Sequence, residues 1–319
     1  MIVTLTANPS IDRTVNLTAP LERGTVQRAE SVLSQAGGKG VNISRACVAA
    51  DLPSIAVLPA AKDDPFVLEL LAAGVDCRPV PHEGDLRVNI TITEPDGTTT
   101  KLNSPGPQVT PRLLRELEEA LVRRAGSADW TVLAGSLPPG TPPEWYAELV
   151  AALRGAGARV AVDTSDAPLK ALVEALPASA PHLMKPNGHE LASFTGHQGE
   201  ELEADPAAAA EAARDLVAQG VESVLVTLGP QGAVLVTGEG AWHATPPPVT
   251  VVSTVGAGDS SLFGYLLGDL RGLGPDRRLA LAVAYGSAAA GLPGTTIPQP
   301  HQVQPELVSV RQLELTQGG

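Results

Sequence analysis

Apolar residues in this chain fall into two alternating kinds of run, short aliphatic stretches and longer alanine-rich stretches with helical spacing. Val132-Leu133-Ala134, Val160-Ala161-Val162-Asp163, Leu183-Met184-Lys185 and Val224-Leu225-Val226-Thr227 have the unbroken apolar character of core strands. Asn42 to Ala50, Pro111 to Arg124, Pro143 to Gly155 and Pro206 to Gly220 read as helices. Such alternation predicts an α/β fold, a mostly parallel central sheet flanked by helices. Two segments break it. Residues 12–35 and 86–104 alternate polar and apolar positions, which predicts exposed antiparallel strands forming a small β-sheet lid. Pro246-Pro247-Pro248 reads as a stiff connector between strands, and no internal repeat or low-complexity linker divides the chain.

The predicted core strands each end near a cluster of small and polar residues, and open α/β sheets bind ligands beyond the carboxyl ends of their strands. In Ser253-Thr254-Val255-Gly256-Ala257-Gly258-Asp259-Ser260, the β-branched run Val249-Thr250-Val251-Val252 predicts a strand and Ser261 to Leu267 a helix. The helix then starts at Gly256-Ala257-Gly258, where unpaired backbone N–H groups and the helix dipole favour an anion. Asp259 is either a base beside that anion or a capping acid. Ala36-Gly37-Gly38-Lys39-Gly40-Val41-Asn42 is a second glycine turn feeding a helix, with a cation inside it; its alternative is an ordinary turn with a solvated lysine. In Lys185-Pro186-Asn187-Gly188-His189-Glu190, Asn187 and Glu190 share a helical face and suit a hydrated magnesium ion, or they form a capping box. Thr227, Gly229 and Gly232 follow a strand in a glycine turn, and Gly286 and Ser287 interrupt the alanine run from Ala280 to Gly291. The P-loop spacing and the G-x-G-x-x-G fingerprint after the first strand are both absent, which argues against a P-loop enzyme and a dinucleotide dehydrogenase.

Composition narrows the picture further. With 319 residues and 43% hydrophobic content the chain can bury a sizeable core, and at 3% aromatic residues aliphatic side chains must fill it. A net charge of −13 disfavours nucleic acid and anionic membranes as partners and makes local cations important for any anionic ligand. Cys47 and Cys77 read as free thiols in a reducing cytosol, and His182, His189 and His197 have no metal-ligand spacing. Met1 to Leu5 starts a strand without a basic region or long apolar core, which predicts no signal peptide, and Leu279 to Leu292 is too short to span a bilayer.

Seven segments, taken in order, resemble the ribokinase-like carbohydrate kinases of the PfkB branch: Thr6 to Asp12, Gly37-Gly38-Lys39-Gly40-x-Asn42, Gly135-Ser136-Leu137-Pro138-Pro139-Gly140, Asp163-Thr164-Ser165, Lys185-Pro186-Asn187-x-x-Glu190, Thr227-Leu228-Gly229-x-x-Gly232 and Thr254 to Ser260. The resemblance covers nearly the whole chain. It implies a single kinase domain over residues 1–319, a cytoplasmic enzyme, ATP and Mg2+ as cofactors, and a homodimer paired through the lid. Asn8 to Asp12, Lys39 and Arg87 to Thr91 resemble the branch acting on sugar phosphates. Thr93 to Asn103 looks most like members that phosphorylate fructose 1-phosphate at C6, and members using tagatose 6-phosphate or fructose 6-phosphate share most of these motifs. A non-catalytic sugar-phosphate sensor would have lost the base, the anion hole or the magnesium residues, and this chain has them all.

The roles implied by the resemblance are specific. Asp259 matches the catalytic base, and the N–H groups of Gly256, Ala257 and Gly258 stabilise the transferred phosphoryl group. Asn187 and Glu190 match the magnesium and triphosphate segment, Glu190 through water, with Lys185 adjoining. Asp12, Gly38 and Asn42 match sugar-hydroxyl positions. Lys39 and Arg87 are candidates for the phosphate the sugar already carries, with Asn89, Lys101 and Ser136 nearby. Thr227, Gly229 and Gly232 fall where the family holds its nucleotide, and the Ala280 to Gly291 run borders the adenine. Ala134 and Ser261-Leu262-Phe263 depart from residues common in the family and bear on pocket shape.

Overall fold

The computed structural model describes residues 1–82 and 84–314. Its strands are β1 (Ile2–Leu5), β2 (Ser10–Leu17), β3 (Ala29–Gly37), β4 (Ser54–Pro59), β5 (Asp76–Val80), β6 (Arg87–Thr93), β7 (Thr99–Leu102), β8 (Trp130–Ala134), β9 (Val160–Asp163), β10 (Leu183–Met184), β11 (Ser223–Thr227), β12 (Ala233–Thr237), β13 (Gly240–Thr245) and β14 (Ser309–Leu313). The α-helices are α1 (Lys39–Ala49), α2 (Pro65–Ala72), α3 (Pro111–Ala125), α4 (Trp145–Gly155), α5 (Asp166–Glu174), α6 (Gly188–Thr195), α7 (Gly199–Ala204), α8 (Pro206–Ala218), α9 (Ala257–Leu270) and α10 (Pro275–Ala290).

Ten strands form the main sheet in the order β14-β13-β12-β11-β10-β9-β8-β1-β4-β5, parallel from β11 through β5 and antiparallel from β11 to β14. The period-two geometry of a strand sends alternate side chains to opposite faces, so each core strand feeds two hydrophobic layers. Val160, Val162, Val224 and Val226 pack with α3, α4, α5 and α8, whereas Ala161 and Leu225 pack with α1, α9 and α10. Chain order reverses between β1 and β8, a switch point at which the loops beyond the strand ends splay apart. Asp163 and Thr227 end β9 and β11, Gly135 and Lys185 follow β8 and β10, and Lys39 opens α1 after β3, all at that end of the sheet.

The lid is a separate four-stranded sheet ordered β3-β2-β6-β7. Its hairpins are antiparallel as expected, but β2 and β6 run parallel, because they belong to two distant segments that enter the lid in the same direction. Other boundaries move too. Helix α1 begins at Lys39 rather than Asn42, since Gly38 at φ 119° makes the turn into it, and α4 begins at Trp145 rather than Pro143. Val249 to Val252 is no strand. It follows three prolines that cannot donate to a ladder, and the N–H groups of Val252 and Ser253 bond instead to the Ala290 carbonyl at the end of α10. The triple proline thus joins β13 to the approach of α9 and not to another strand. Among the described residues no helix is long and apolar enough to cross a membrane.

Helices α9 and α10 pack so closely that side chains are excluded at their crossing. A Cβ on Gly264 would stand 2.5 Å from the Leu281 carbonyl oxygen and 2.9 Å from the Ala282 Cα. Replacing a mid-helix glycine by alanine normally gains about 0.5–1 kcal/mol. Here the backbone clash outweighs that gain, so Gly264→Ala should cost about 1–3 kcal/mol and lower the midpoint of thermal unfolding. An unchanged or higher midpoint would show that the helices separate freely.

Candidate active site

A cleft of about 820 Å³ opens between the lid and the carboxyl end of the main sheet. Its walls include Asp12, Gly38, Lys39, Asn42, Arg87, Asn89, Lys185, Asn187, Glu190, Thr227, Gly229, Gly232 and the segment from Gly256 to Asp259. Residues picked from distant parts of the sequence therefore share one cavity. Two do not. Ser136 lines a neighbouring cavity of about 490 Å³, joined to the cleft through Arg87, which lines both. Lys101 lies on the outer lid strand β7, exposed and paired in register with Thr91, and lines neither cavity.

At the centre, Gly256 caps α9 in the left-handed conformation at φ 78°, a turn that a Cβ would strain, and no side chain satisfies the first-turn amides. Asp259 lies in that first turn, buried, and its Oδ2 accepts a 2.8 Å hydrogen bond from Asn42 Nδ2 on α1. Burial raises its pKa to about 6; Lys39 opposes the rise, Asp163 adds to it, and Asn42 and Lys185 act against it. A carboxylate titrating there, beside a helix N-terminus, is suited to taking a proton from a group attacking an anion held by the amides.

Asp163 ends β9 with a side chain wholly removed from solvent. Its Oδ1 lies 2.6 Å from Lys39 Nζ and its Oδ2 3.2 Å from Lys185 Nζ. Burial alone would raise its pKa, but Lys185 and then Lys39 outweigh burial and hold it below the ordinary range. Burial likewise disfavours the charged form of Lys39, yet Asp163 and Asp259 prevail and raise its pKa. Lys185 is buried, with Nζ 3.3 Å from where a Cβ on Gly258 would stand. Asp163 belongs to a recognised motif, but its service to two lysines was not read from sequence; the signal was a carboxylate ending an otherwise apolar core strand.

On the lid side, β2 and β6 are in register with Ser10 opposite Arg87 and Asp12 opposite Asn89. Alternate residues share a face, so all four side chains reach the cleft. Ser10 Oγ and Asn89 Nδ2 donate to Asp12 Oδ1 at 2.8 and 3.1 Å, fixing the carboxylate. A Cβ on Gly37 would stand 2.1 Å from Asp12 Oδ2, so the glycine makes room for this acid. Arg87 donates from Nε to the Asn8 carbonyl at 3.2 Å and from Nη1 to the Ser104 carbonyl at 3.4 Å; burial lowers its pKa, opposed by Asp12. Lys39 and Arg87 therefore occupy different settings, one on Asp163 and the other at the mouth of the second cavity.

The far end of the cleft is apolar. Val249, Val251, Val283, Pro230, Pro246 and Ala290 line it together with Gly286 and Ser287. Gly286 also lets α10 meet α9, because a Cβ there would lie 2.3 Å from Ser261 Oγ, so packing and cavity lining coexist. Asn187 and Glu190 form a reciprocal capping box, Glu190 Oε2 accepting from the Asn187 N–H at 2.9 Å and Asn187 Oδ1 from the Glu190 N–H at 2.8 Å. Both remain partly exposed on the cleft wall. Among the described residues no cluster of acids, histidines or cysteines encloses a bare metal ion. Glu203 and Thr295 also reach the cleft although nothing in their local pattern marks them, and Ser10, inside the Thr6 to Asp12 motif, joins them without a role of its own in the sequence reading.

Residues 5–302 match the pfkB family carbohydrate kinases. Relatives include a 1-phosphofructokinase of Xanthomonas campestris pv. campestris, 37% identical and covering 88% of each chain, and one of Rhodobacter capsulatus, 38% identical and covering 95% of this chain and 94% of that one. Among solved structures, phosphofructokinase-2 from Escherichia coli in complex with substrates and products superposes with a TM-score of 0.86 at 30% identity, over 94% of this chain and 96% of that one.

The charge arrangement carries a sign that can be measured. Lys39 favours the ionised form of Asp259, so Lys39→Gln should move its midpoint upward from about 6, followed by carboxyl-carbon NMR across a pH titration. A downward or absent shift would mean that the ammonium group does not act on this acid.

Proposed function

The chain belongs to the pfkB family of carbohydrate kinases, and on that premise we propose that it transfers the γ-phosphoryl group of ATP to the C6 hydroxyl of fructose 1-phosphate, giving fructose 1,6-bisphosphate and ADP. One observation carries the reading: a buried carboxylate of raised pKa, Asp259, stands in the first turn of a helix whose amides are uncapped, in a cleft that also holds Lys39, Lys185 and Arg87. A sensor would need none of this proton-taking machinery.

In this reading the ketose lies under the lid, its hydroxyls read by Asp12, Asn42 and the Gly38 backbone, and its existing phosphate near Arg87, Asn89 and Ser136. A carboxylate and an amide suit that task, since Asn42 Oδ1 and Asn89 Oδ1 have no partner and can accept from hydroxyl donors. The nucleotide lies along Thr227, Gly229 and Gly232, with its base in the apolar end. Asp259 takes the proton of the attacking hydroxyl. The new O–P bond forms as the bond from phosphorus to the bridging oxygen breaks, and that electron pair stays with ADP. Amides of Gly256, Ala257 and Gly258 receive the charge developing on the group in transit.

Magnesium fits the donor set as a hydrated ion carried by the triphosphate, because Asn187 and Glu190 offer one amide and one carboxylate, and the ion keeps most of its waters. When bound it neutralises phosphate charge, with Glu190 holding it through water. We read residues 1–319 as one kinase unit with lid segments 12–35 and 86–104, working in the cytosol, where Cys47 and Cys77 stay reduced as the free, buried thiols they are. Pairing of two copies through the lid is supported by Val32, Leu33 and Leu102, apolar side chains more than half exposed on its strands.

Asp259→Asn should lower turnover by roughly 10²–10⁴-fold with binding of ADP and sugar phosphate retained by calorimetry. An undiminished rate would remove Asp259 from the reaction. In the unmodified enzyme, kcat/KM should fall about tenfold per pH unit below about 6, because the protonated acid cannot accept the hydroxyl proton. Coupled assays of ADP release with fructose 1-phosphate, fructose 6-phosphate and tagatose 6-phosphate test the acceptor. Fructose 1-phosphate should give the highest kcat/KM, and preference for another ketose would reassign it.

A further inference from the structure

Two of the few lysines in this chain converge on a single carboxylate. Asp163 is inaccessible to solvent, and each of its oxygens faces a different ammonium group, Lys39 at 2.6 Å and Lys185 at 3.2 Å. Stability is a poor reason for such a cluster, since buried ion pairs replaced by well-packed apolar side chains are often no less stable. Its position supplies a better one. The lysines come from different elements, Lys39 from the first turn of α1 and Lys185 from the residue after β10, and both line the cleft. Lys185 Nζ abuts Gly258 in the amide cradle. Lys39 stands one helical turn before Asn42, whose amide holds Asp259. Both cations thus act on the region of the cradle and the base.

A lysine ammonium ends a flexible four-carbon stem, and a mobile charge must reorganise when charge develops during a reaction. A carboxylate hydrogen-bonded to one ammonium group and ion-paired with the other limits that freedom in advance. It also cancels one of their two charges, which moderates their attraction for the anionic substrate before reaction. We propose that Asp163 is a positioning residue that yokes Lys39 and Lys185 into a fixed pair of cations beside the phosphoryl group in transit, so that Lys39 serves transfer and not the phosphate already on the sugar. The proposal rests on the kinase reading above. It adds no reactant: the acceptor oxygen forms its bond to phosphorus, ADP keeps the electron pair of the broken bond, and Asp259 takes the proton.

The test is steady-state kinetics with ATP and fructose 1-phosphate, alongside calorimetric binding of ADP and of fructose 1-phosphate, for Asp163→Asn, Lys39→Gln and the double variant. Asp163→Asn should lower kcat by about 10²–10³-fold, the scale of a lost oriented charge-stabilising group, with both KM values within about threefold. Lys39→Gln should show the same split. The double variant should be no slower than the slower single one, because unyoking has already disabled Lys39. Multiplying losses, or a near-normal kcat in Asp163→Asn, would overturn the yoke. So would a Lys39→Gln enzyme that keeps kcat but raises KM for fructose 1-phosphate tenfold or more, since Lys39 would then be holding the sugar's own phosphate. Should Asp163→Asn not fold, as judged by circular dichroism, the kcat and KM of Lys39→Gln decide by themselves. Failure of the unmodified enzyme to phosphorylate any of the three ketose phosphates would defeat the kinase reading and this proposal together; normal turnover with insensitive variants would defeat the yoke alone.

Discussion

Charge is kept at the floor of this cleft only because it is shared. A carboxylate as inaccessible as Asp163 would ordinarily be neutralised by burial. Lys185 and Lys39 together keep it charged. The placement of these residues at the ends of β9 and β10 and the start of α1 ties that electrostatic cluster to the main sheet. The backbone ladder holds the strand ends in register, and the strand ends hold the charges.

Asp259 depends on the same cluster through a different route. Its pKa reflects a contest between burial, which favours the neutral acid, and the lysines, which favour the carboxylate. Asn42 sides with the lysines and also fixes the geometry, donating across from α1 to α9. Both helices pack on one face of the sheet, and α9 is held by its close crossing with α10 at Gly264 and Gly286. A change at that crossing therefore reaches the acid through backbone position, without touching a charged group. The lid contributes the other half of the cavity, where Ser10, Asp12, Arg87 and Asn89 owe their convergence to the pairing of β2 with β6.

Much of this was legible along the chain because it is local. Aliphatic runs at Val160 and Val224 identify core strands, glycines at 256 and 258 mark an uncapped helix start, and their order carries the family resemblance. Local patterning was less reliable where long-range partners decide the outcome. Val249 to Val252 has strand-like residues, yet the prolines before it and the end of α10 beside it leave it outside the sheet. Lys101 sits in a segment rich in implied site residues, but pairing on β7 carries it to the outer lid. Alternation could show that the lid segments were strands, whereas the parallel pairing of β2 and β6 depends on how two distant pieces of chain meet.

The amino-acid sequence by itself determined the alternating α/β plan, the glycine-rich helix starts and the residue types available for phosphoryl chemistry, since each follows from periodicity or from a few adjacent side chains. Only the tertiary structure decided which charges meet: that Asp163 takes both Lys39 and Lys185, that Asn42 holds Asp259, and that Arg87 lines both the cleft and a second cavity. The reason is physical. Electrostatic and hydrogen-bond energies depend on distances of a few ångströms in space, and for residues on different strands and helices those distances exist only once the sheet has assembled.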